Sequence, residues 1–152
     1  MTPSTKKSLV WLLVAVVAIV ILAFMSQKKD APIVVTPMPT PEITGLKDDL
    51  VSFSVMPGAK VKGIMNMTGV LKNAYFFEAN IRVDVLDANK TTIKEGFGTA
   101  TTEWMTTGPV SFKTKLDFSG LATGPGFIAI RNDDPSGLPE NDKEIFIPIV
   151  IE

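Results

Sequence analysis

The chain lacks both cysteine and histidine over its 152 residues. Their absence excludes disulfide bonds, thiol nucleophiles, the usual ligand sets of zinc sites and the most common general base. It also excludes a bacterial lipoprotein, which is anchored through a lipid-modified cysteine, so any membrane attachment must come from the polypeptide itself. Because no nucleophile motif accompanies the remaining serine and carboxylate side chains, we expect a protein that is not an enzyme.

A large excess of one charge is also missing, since 15 basic side chains stand against 16 acidic ones. The distribution is uneven. Residues 1–29 contain four lysines and no acid, whereas residues 43–152 contain eleven basic and fourteen acidic side chains. A mildly acidic domain does not favour binding to a phosphate backbone. We therefore expect no nucleic-acid partner.

One long apolar run lies near the N-terminus, where residues 9–25 are seventeen consecutive apolar residues. They belong to an uncharged segment, residues 8–27, with a pair of lysines on each side. About 20 helical residues span the roughly 30 Å of a bilayer core. A signal peptide has a shorter apolar region and a small-x-small cleavage site, which is missing here. We expect an N-terminal tail (residues 1–7) and an uncleaved transmembrane signal anchor (residues 8–27); a cleaved signal peptide and a buried core helix are the alternatives.

The lysine pairs do not decide the orientation of this anchor, because they balance each other across it. A short tail before the anchor and a long domain after it are typical of a signal anchor whose C-terminal domain lies outside the cytoplasm. The following segment, residues 28–42, contains four prolines. Proline disfavours a helix and favours an extended chain. We expect a proline-rich linker that holds the domain away from the bilayer.

From residue 43 onward, apolar residues alternate with polar ones, which is typical of strands with one buried face. The alternation is clearest in residues 77–85, 110–118 and 145–151. Pro148 lies within the last of these, so we expect that strand at a sheet edge or with its missing N–H facing solvent. Weaker candidates are residues 50–55, 65–70, 92–101 and 126–131. About seven short strands, without a convincing amphipathic helix, predict an all-β fold, an antiparallel β-sandwich over residues 43–152.

Residues 131–142, RNDDPSGLPEND, form the most unusual stretch of the chain. One hypothesis is a calcium site built from four carboxylates, because Ca²⁺ prefers several oxygen ligands at flexible spacing. Those four residues are Asp133, Asp134, Glu140 and Asp142. The other interpretation is that Asp and Asn cap turns and that Arg131 pairs with one of these carboxylates. Apart from this calcium ion, we expect no cofactor.

Trp104 and Met105 lie in a loop-like segment, residues 101–109. An exposed aromatic side chain there would form a contact for a partner protein or a glycan, because aromatic residues are common in binding hot spots. The alternative is a tryptophan that closes one end of the sandwich core.

Four sequence segments resemble a known domain family: YFFEA at residues 75–79, LDAN at 86–89, EWMT at 103–106 and NDDPSGLPEN at 132–141. They resemble the immunoglobulin-like domain named from bacterial spore-germination proteins, over roughly residues 50–151 and in the same order. The resemblance implies an immunoglobulin-like β-sandwich in a bacterial envelope or membrane-attached protein, with no catalytic role assigned. It does not imply germination itself.

The functional expectation combines these features. We expect a noncatalytic interaction domain, anchored in the bacterial cell membrane through residues 8–27, that contacts an envelope protein outside the cytoplasm. A ligand-binding module for calcium or envelope polysaccharide is the first alternative. A purely structural spacer is the second.

Overall fold

The computed structural model describes residues 40–136 and 138–152. The expected N-terminal tail (residues 1–7), the signal anchor (residues 8–27) and most of the proline-rich linker (residues 28–42) lie outside the described residues. Within those two ranges, no helix combines the length and the apolar character that crossing a bilayer requires.

The described part of the chain forms ten strands, with three one-turn 3-10 helices between them. β-branched residues, which favour strands, are common in the long strands β5 and β10. The 3-10 helices are Lys47–Asp49, Asn73–Tyr75 and Pro139–Asn141. The strands are β1 (Thr44–Gly45), β2 (Leu50–Phe53), β3 (Ala59–Val61), β4 (Ile64–Lys72), β5 (Asn80–Asp87), β6 (Thr92–Lys94), β7 (Phe97–Ala100), β8 (Pro109–Asp117), β9 (Gly124–Arg131) and β10 (Glu144–Ile151).

The strands follow one another through hydrogen bonds in the order β1-β10-β9-β5-β7-β8-β4-β2. Strand β6 pairs with β5, and β3 runs parallel to β10, whereas the other pairs are antiparallel. Strand β7 is bonded to β5 on one side and to β8 on the other, so it joins the half formed by β8, β4 and β2 to the half formed by β5, β9 and β10. This arrangement is an immunoglobulin-like β-sandwich.

The core lies between the two halves, and one continuous apolar cluster takes side chains from both. Strand β8 contributes Val110, Phe112 and Leu116, each at most 2% exposed. Strand β10 contributes its four isoleucines at positions 145, 147, 149 and 151, which are equally buried. Each such side chain contributes about 1.5–3 kcal/mol of burial free energy. The alternation predicted for both strands is confirmed.

The strand expected over residues 77–85 begins later than predicted. Glu78 and Ala79 have φ angles of 47° and 64°, a left-handed backbone that ends a strand. The turn is closed by two hydrogen bonds between Phe77 and Asn80, at 3.0 and 2.8 Å. Phe77 is therefore 41% exposed and outside the core, and β5 runs from Asn80.

The number of strands also differs from the expected seven. Strands β1 and β3 contain two and three residues, too few to show an alternating pattern. The segment predicted as one strand, residues 92–101, is divided into β6 and β7 because the backbone N–H of Gly96 turns to donate to a side chain, the Asp84 carboxylate, at 3.2 Å.

Pro148 does not lie in an edge strand, because β10 has neighbours on both sides. Its carbonyl accepts a hydrogen bond from the N–H of Gly58 at 2.7 Å, so its nitrogen faces the same side of β10. On that side, β1 pairs with residues 145 and 146 and β3 with residues 149–151. The position at which Pro148 lacks an N–H therefore lies in the gap between β1 and β3, where no described strand pairs with this side of β10.

Candidate functional site

A buried carboxylate lies on the outer face of β5, next to β9. Asp84 is fully buried, and its Oδ2 accepts from Arg131 Nη1 at 3.0 Å and from Arg82 Nη2 at 3.2 Å. Its Oδ1 accepts from the N–H of Gly96. A buried charge requires such partners, because an unpaired one loses its hydration without compensation.

Arg131 extends this cluster to a third strand. Its Nε donates to Glu144 Oε1 at 2.7 Å, and its Nη1 also reaches Thr92 Oγ1 at 3.3 Å. The expectation that Arg131 pairs with a carboxylate of the acidic loop, our name for residues 131–142, is therefore wrong. The reason is register: Arg131 stands directly opposite Arg82 on β5 and Glu144 on β10, so its side chain follows the sheet face.

Three of the four predicted calcium ligands line one cleft of about 290 Å³ above this cluster, namely Asp133, Asp134 and Asp142. Glu140 is not among its lining residues. The cleft also contains Lys143 and both arginines, and the buried Nε of Arg82 has no hydrogen-bond partner among the described residues. Over the same ranges, no group of three or more carboxylates is placed to hold a metal ion.

The acidic loop is held by its own hydrogen bonds. Asp134 accepts from the Ser136 hydroxyl at 2.6 Å and from the Ser136 N–H at 2.9 Å, and these bonds lower the pKa of the Asp134 carboxyl. Asn132 closes the base of the loop, because its Oδ1 accepts from the N–H of Lys143 and its Nδ2 donates to the Asn141 carbonyl. This geometry matches turn capping.

The calcium hypothesis remains a prediction that thermal melts can test. If Asp133, Asp134, Glu140 and Asp142 hold the ion, added calcium raises the melting temperature relative to chelator, since a ligand that binds only the folded state stabilises it. Superimposable curves with calcium and with chelator would remove the hypothesis.

The two residues predicted to bind a partner, Trp104 and Met105, lie in different environments. Trp104 is partly buried and packs against the core cluster. Met105 points outward with 75% of its surface exposed. The loop is tied down at its base, because the N–H of Thr101 donates to the Ser111 carbonyl at 2.7 Å and the N–H of Ser111 donates to Thr102 Oγ1 at 3.0 Å.

One surface was not recognised from the sequence, the outer face of β4, β8 and β7. We call it the lysine face. Phe97 is 61% exposed there. The alternation in residues 110–118 signals that Lys113 and Lys115 point outward, but it does not reveal which strands flank them. The lysine face consists of six side chains, Asn66, Thr68, Phe97, Thr99, Lys113 and Lys115, around a shallow depression of about 580 Å³.

The fold defines a small immunoglobulin-like β-sandwich, in which the loop residue Met105 and the lysine face are exposed to solvent. The family model of the immunoglobulin-like domain of bacterial spore germination matches residues 54–138, which is more than half of the chain. The chain belongs to this family. Searches of curated proteins and of solved structures gave no match.

Proposed function

We propose that this protein is a noncatalytic interaction domain of the bacterial cell envelope. Membership of an immunoglobulin-like family supports a binding role, because such sandwiches use end loops or sheet edges to hold partners. One observation favours a particular location for the binding contact on the domain. Met105 exposes an apolar side chain at the tip of a loop whose other large residue, Trp104, is fixed against the core.

The physical argument is preorganisation. Trp104 anchors the loop, and hydrogen bonds at its base restrict its motion, so little conformational entropy remains to be lost on binding. Methionine is flexible and polarisable, which suits a contact that adapts to a protein surface. Met105 is therefore the central contact of the proposed protein interface, and Trp104 has a positioning role.

The proposed location is the outer face of the membrane. Its support is the sequence of residues 8–27, whose apolar length equals that of a membrane span, followed by the proline-rich segment of residues 28–42. Protease treatment of intact cells tests this topology. Digestion of the domain is expected, whereas protection that is lost only after cell lysis would contradict an extracytoplasmic location.

Proximity labelling in native cells tests the interaction itself. A labelling enzyme is fused to the full chain, and the labelled envelope proteins are compared between wild type and Met105→Ser. Met56→Ser is the matched control, because Met56 is 71% exposed at a different place on the domain. We expect a partner whose labelling falls in Met105→Ser but not in Met56→Ser. Identical labelling in all three proteins would support the structural spacer instead.

A further inference from the structure

The geometry of the lysine face follows from the register of three antiparallel strands. Lys115 of β8 stands opposite Asn66 of β4, and Lys113 stands opposite Thr68. On the other side of β8, Thr99 of β7 stands opposite Lys113. Neighbouring strands are about 4.8 Å apart, and outward residues on one strand repeat about every 7 Å. The result is two short rows of side chains on one sheet face: Asn66, Lys115 and Phe97 in the first, and Thr68, Lys113 and Thr99 in the second.

The position of the aromatic residue Phe97 is fixed by a partly buried hydrogen bond. Thr114 is 5% exposed, and its hydroxyl donates to the carbonyl oxygen of Phe97 at 2.8 Å. Because Gly98 stands opposite Thr114, Phe97 lies beside Lys115 in the first row. A large apolar ring is thus held on a polar sheet face, where 61% of its surface contacts solvent.

The charge of this face is uncompensated. In the described ranges, neither Lys113 nor Lys115 forms a salt bridge, and both are exposed. The acidic neighbours are already engaged, Asp117 with Lys94 at 3.7 Å and Glu95 with Arg82 at 3.4 Å. Two like charges on adjacent outward positions of one strand repel each other, so an anion placed between them is favoured.

We propose that the lysine face binds an acidic glycan. The negative face of the Phe97 ring attracts the C–H-bearing face of a sugar ring, the two ammonium groups pair with a carboxylate or phosphate on the glycan, and Asn66, Thr68 and Thr99 bond to sugar hydroxyls. A depression of about 580 Å³ is within the range of ligand sites. Two lysines on a mildly acidic domain are too few to hold a nucleic acid, which requires several phosphate contacts.

This inference rests on the proposed function only in assigning the domain a binding role outside the cytoplasm, since it uses a different surface from Met105. The test uses the full chain in detergent micelles and isothermal titration calorimetry. Oligogalacturonate supplies a carboxylated glycan, phosphomannan a phosphorylated one, and a malto-oligosaccharide a neutral one. Poly-glutamate supplies the same negative charge without sugar.

We expect saturable binding of at least one acidic glycan, and weaker binding of the neutral glycan and of poly-glutamate. The double variant Lys113→Gln/Lys115→Gln should lose at least about tenfold in affinity, since two charge-assisted contacts are removed. Phe97→Ser should lose about fivefold because of the lost stacking area. The matched control Lys47→Gln/Lys62→Gln, which changes the net charge equally at exposed positions elsewhere, should bind like wild type.

Three results would overturn the proposal. They are the absence of saturable binding to both acidic glycans, equal losses in the two double variants, and poly-glutamate binding as tight as glycan binding, which would indicate an acidic peptide as the ligand. Met105→Ser keeps its glycan affinity if the two surfaces are independent. Failure of the protein interaction at Met105 is thereby distinguished from failure of glycan binding. Circular dichroism melts confirm that each variant is folded.

Discussion

Asp84 is the charged residue that the described part of the domain buries completely. Of its three hydrogen bonds, one joins β5 to β9, one joins β5 to the turn between β6 and β7, and the third is donated by Arg82 within β5. Replacement by asparagine keeps the shape but removes the negative charge, which leaves Arg131 and Arg82 facing a neutral amide. The residue therefore stabilises the outer face of one half of the sandwich through charge rather than through packing.

We expect Asp84→Asn to lower the free energy of unfolding by about 2 kcal/mol, because hydrogen bonds to charged groups contribute about 1.5–3 kcal/mol each and the arginines remain partly hydrated. Denaturant unfolding at neutral pH measures this change. Glu95→Gln is the control, since Glu95 is 72% exposed in side chain and pairs with Arg82 alone. It should change stability by less than about 0.5 kcal/mol. Equal effects would contradict a special role for the buried charge.

The burial of Tyr75 predicts that the domain loses stability in alkaline solution. Its side chain is 1% exposed, and burial, followed by the nearby Asp49 carboxylate, raises the pKa of the Tyr75 phenol. The folded protein thus keeps the phenolic proton at pH values where the unfolded chain, with a pKa of about 10, has lost it. The stabilising contribution of the protonated phenol is fully present below about pH 10, and it is lost as the pH rises above that value.

The measurement is direct, because Tyr75 is the only tyrosine in the sequence. Tyrosinate absorbance in the native protein should appear only well above the pH at which the unfolded chain ionises. Tyr75→Phe should lose less stability than wild type over the same alkaline range. An ordinary tyrosinate titration in the folded protein would show that the phenol is accessible and would refute this explanation.

The turn between β6 and β7 depends on a glycine for lack of space. A Cβ atom at Gly96 would lie 2.6 Å from the carbonyl oxygen of Val83 and 2.6 Å from Leu116 Cδ2. The first contact is with backbone, which cannot move without breaking the hydrogen bond from Val83 N–H to Gly96 O at 2.9 Å. Close approach of this turn to β5 therefore requires the absence of a side chain at Gly96.

We expect Gly96→Ala to destabilise the domain by about 1–3 kcal/mol, the usual range for overpacking. Gly108→Ala is the matched control, because the nearest atom to its Cβ would be Thr106 Oγ1 at 3.8 Å. It should be neutral within about 0.5 kcal/mol. Thermal and denaturant unfolding of both variants provide the comparison, and equal stability of the two would refute the crowding argument.

The inward and outward faces of β8 and β10 could be predicted from sequence, because a period of two reports burial of one face directly. The partners of Arg131 could not, since they depend on which residues of β5 and β10 stand opposite it. The lysine face was missed for the same reason. Phe97 and Lys115 are distant in sequence and become neighbours only through strand register, which a single strand's pattern does not contain.

Some features of the candidate functional site could likewise be predicted from the sequence, and others could not. The turn at Asp134 is local, so its capping role could be assigned from residue type and neighbours. The partners of Asn132 could not, because they lie 9 and 11 residues away along the chain. The opposite orientations of Trp104 and Met105 depend on where the core ends, which is a property of the assembled sandwich. Likewise, β1 and β3 form because β10 offers them a hydrogen-bonding edge, and their own sequences are too short to predict a strand.

The strand directions predict that the domain as a unit resists a mechanical load more strongly in one direction than in another. Strand β3 runs parallel to β10, with Ala59 beside Ile149 and Val61 beside Ile151. A force that pulls Ala59 toward the N-terminal end of β3 and Ile151 toward the C-terminal end of β10 acts along both strands. The hydrogen bonds between the two strands are therefore loaded together. In the antiparallel pair of β9 and β10, Gly124 stands beside Ile151, and a pull at that end opens one residue pair at a time.

Single-molecule pulling can compare the two geometries, and the natural absence of cysteine makes introduced cysteines unique attachment points. We expect the pair Pro57→Cys with Glu152→Cys to unfold at a clearly higher force than the pair Thr123→Cys with Glu152→Cys. Equal forces would contradict the argument. If the forces differ in this way, the parallel strand pair acts as a mechanical clamp, and tension between residues 57 and 152 meets more resistance than tension between residues 123 and 152.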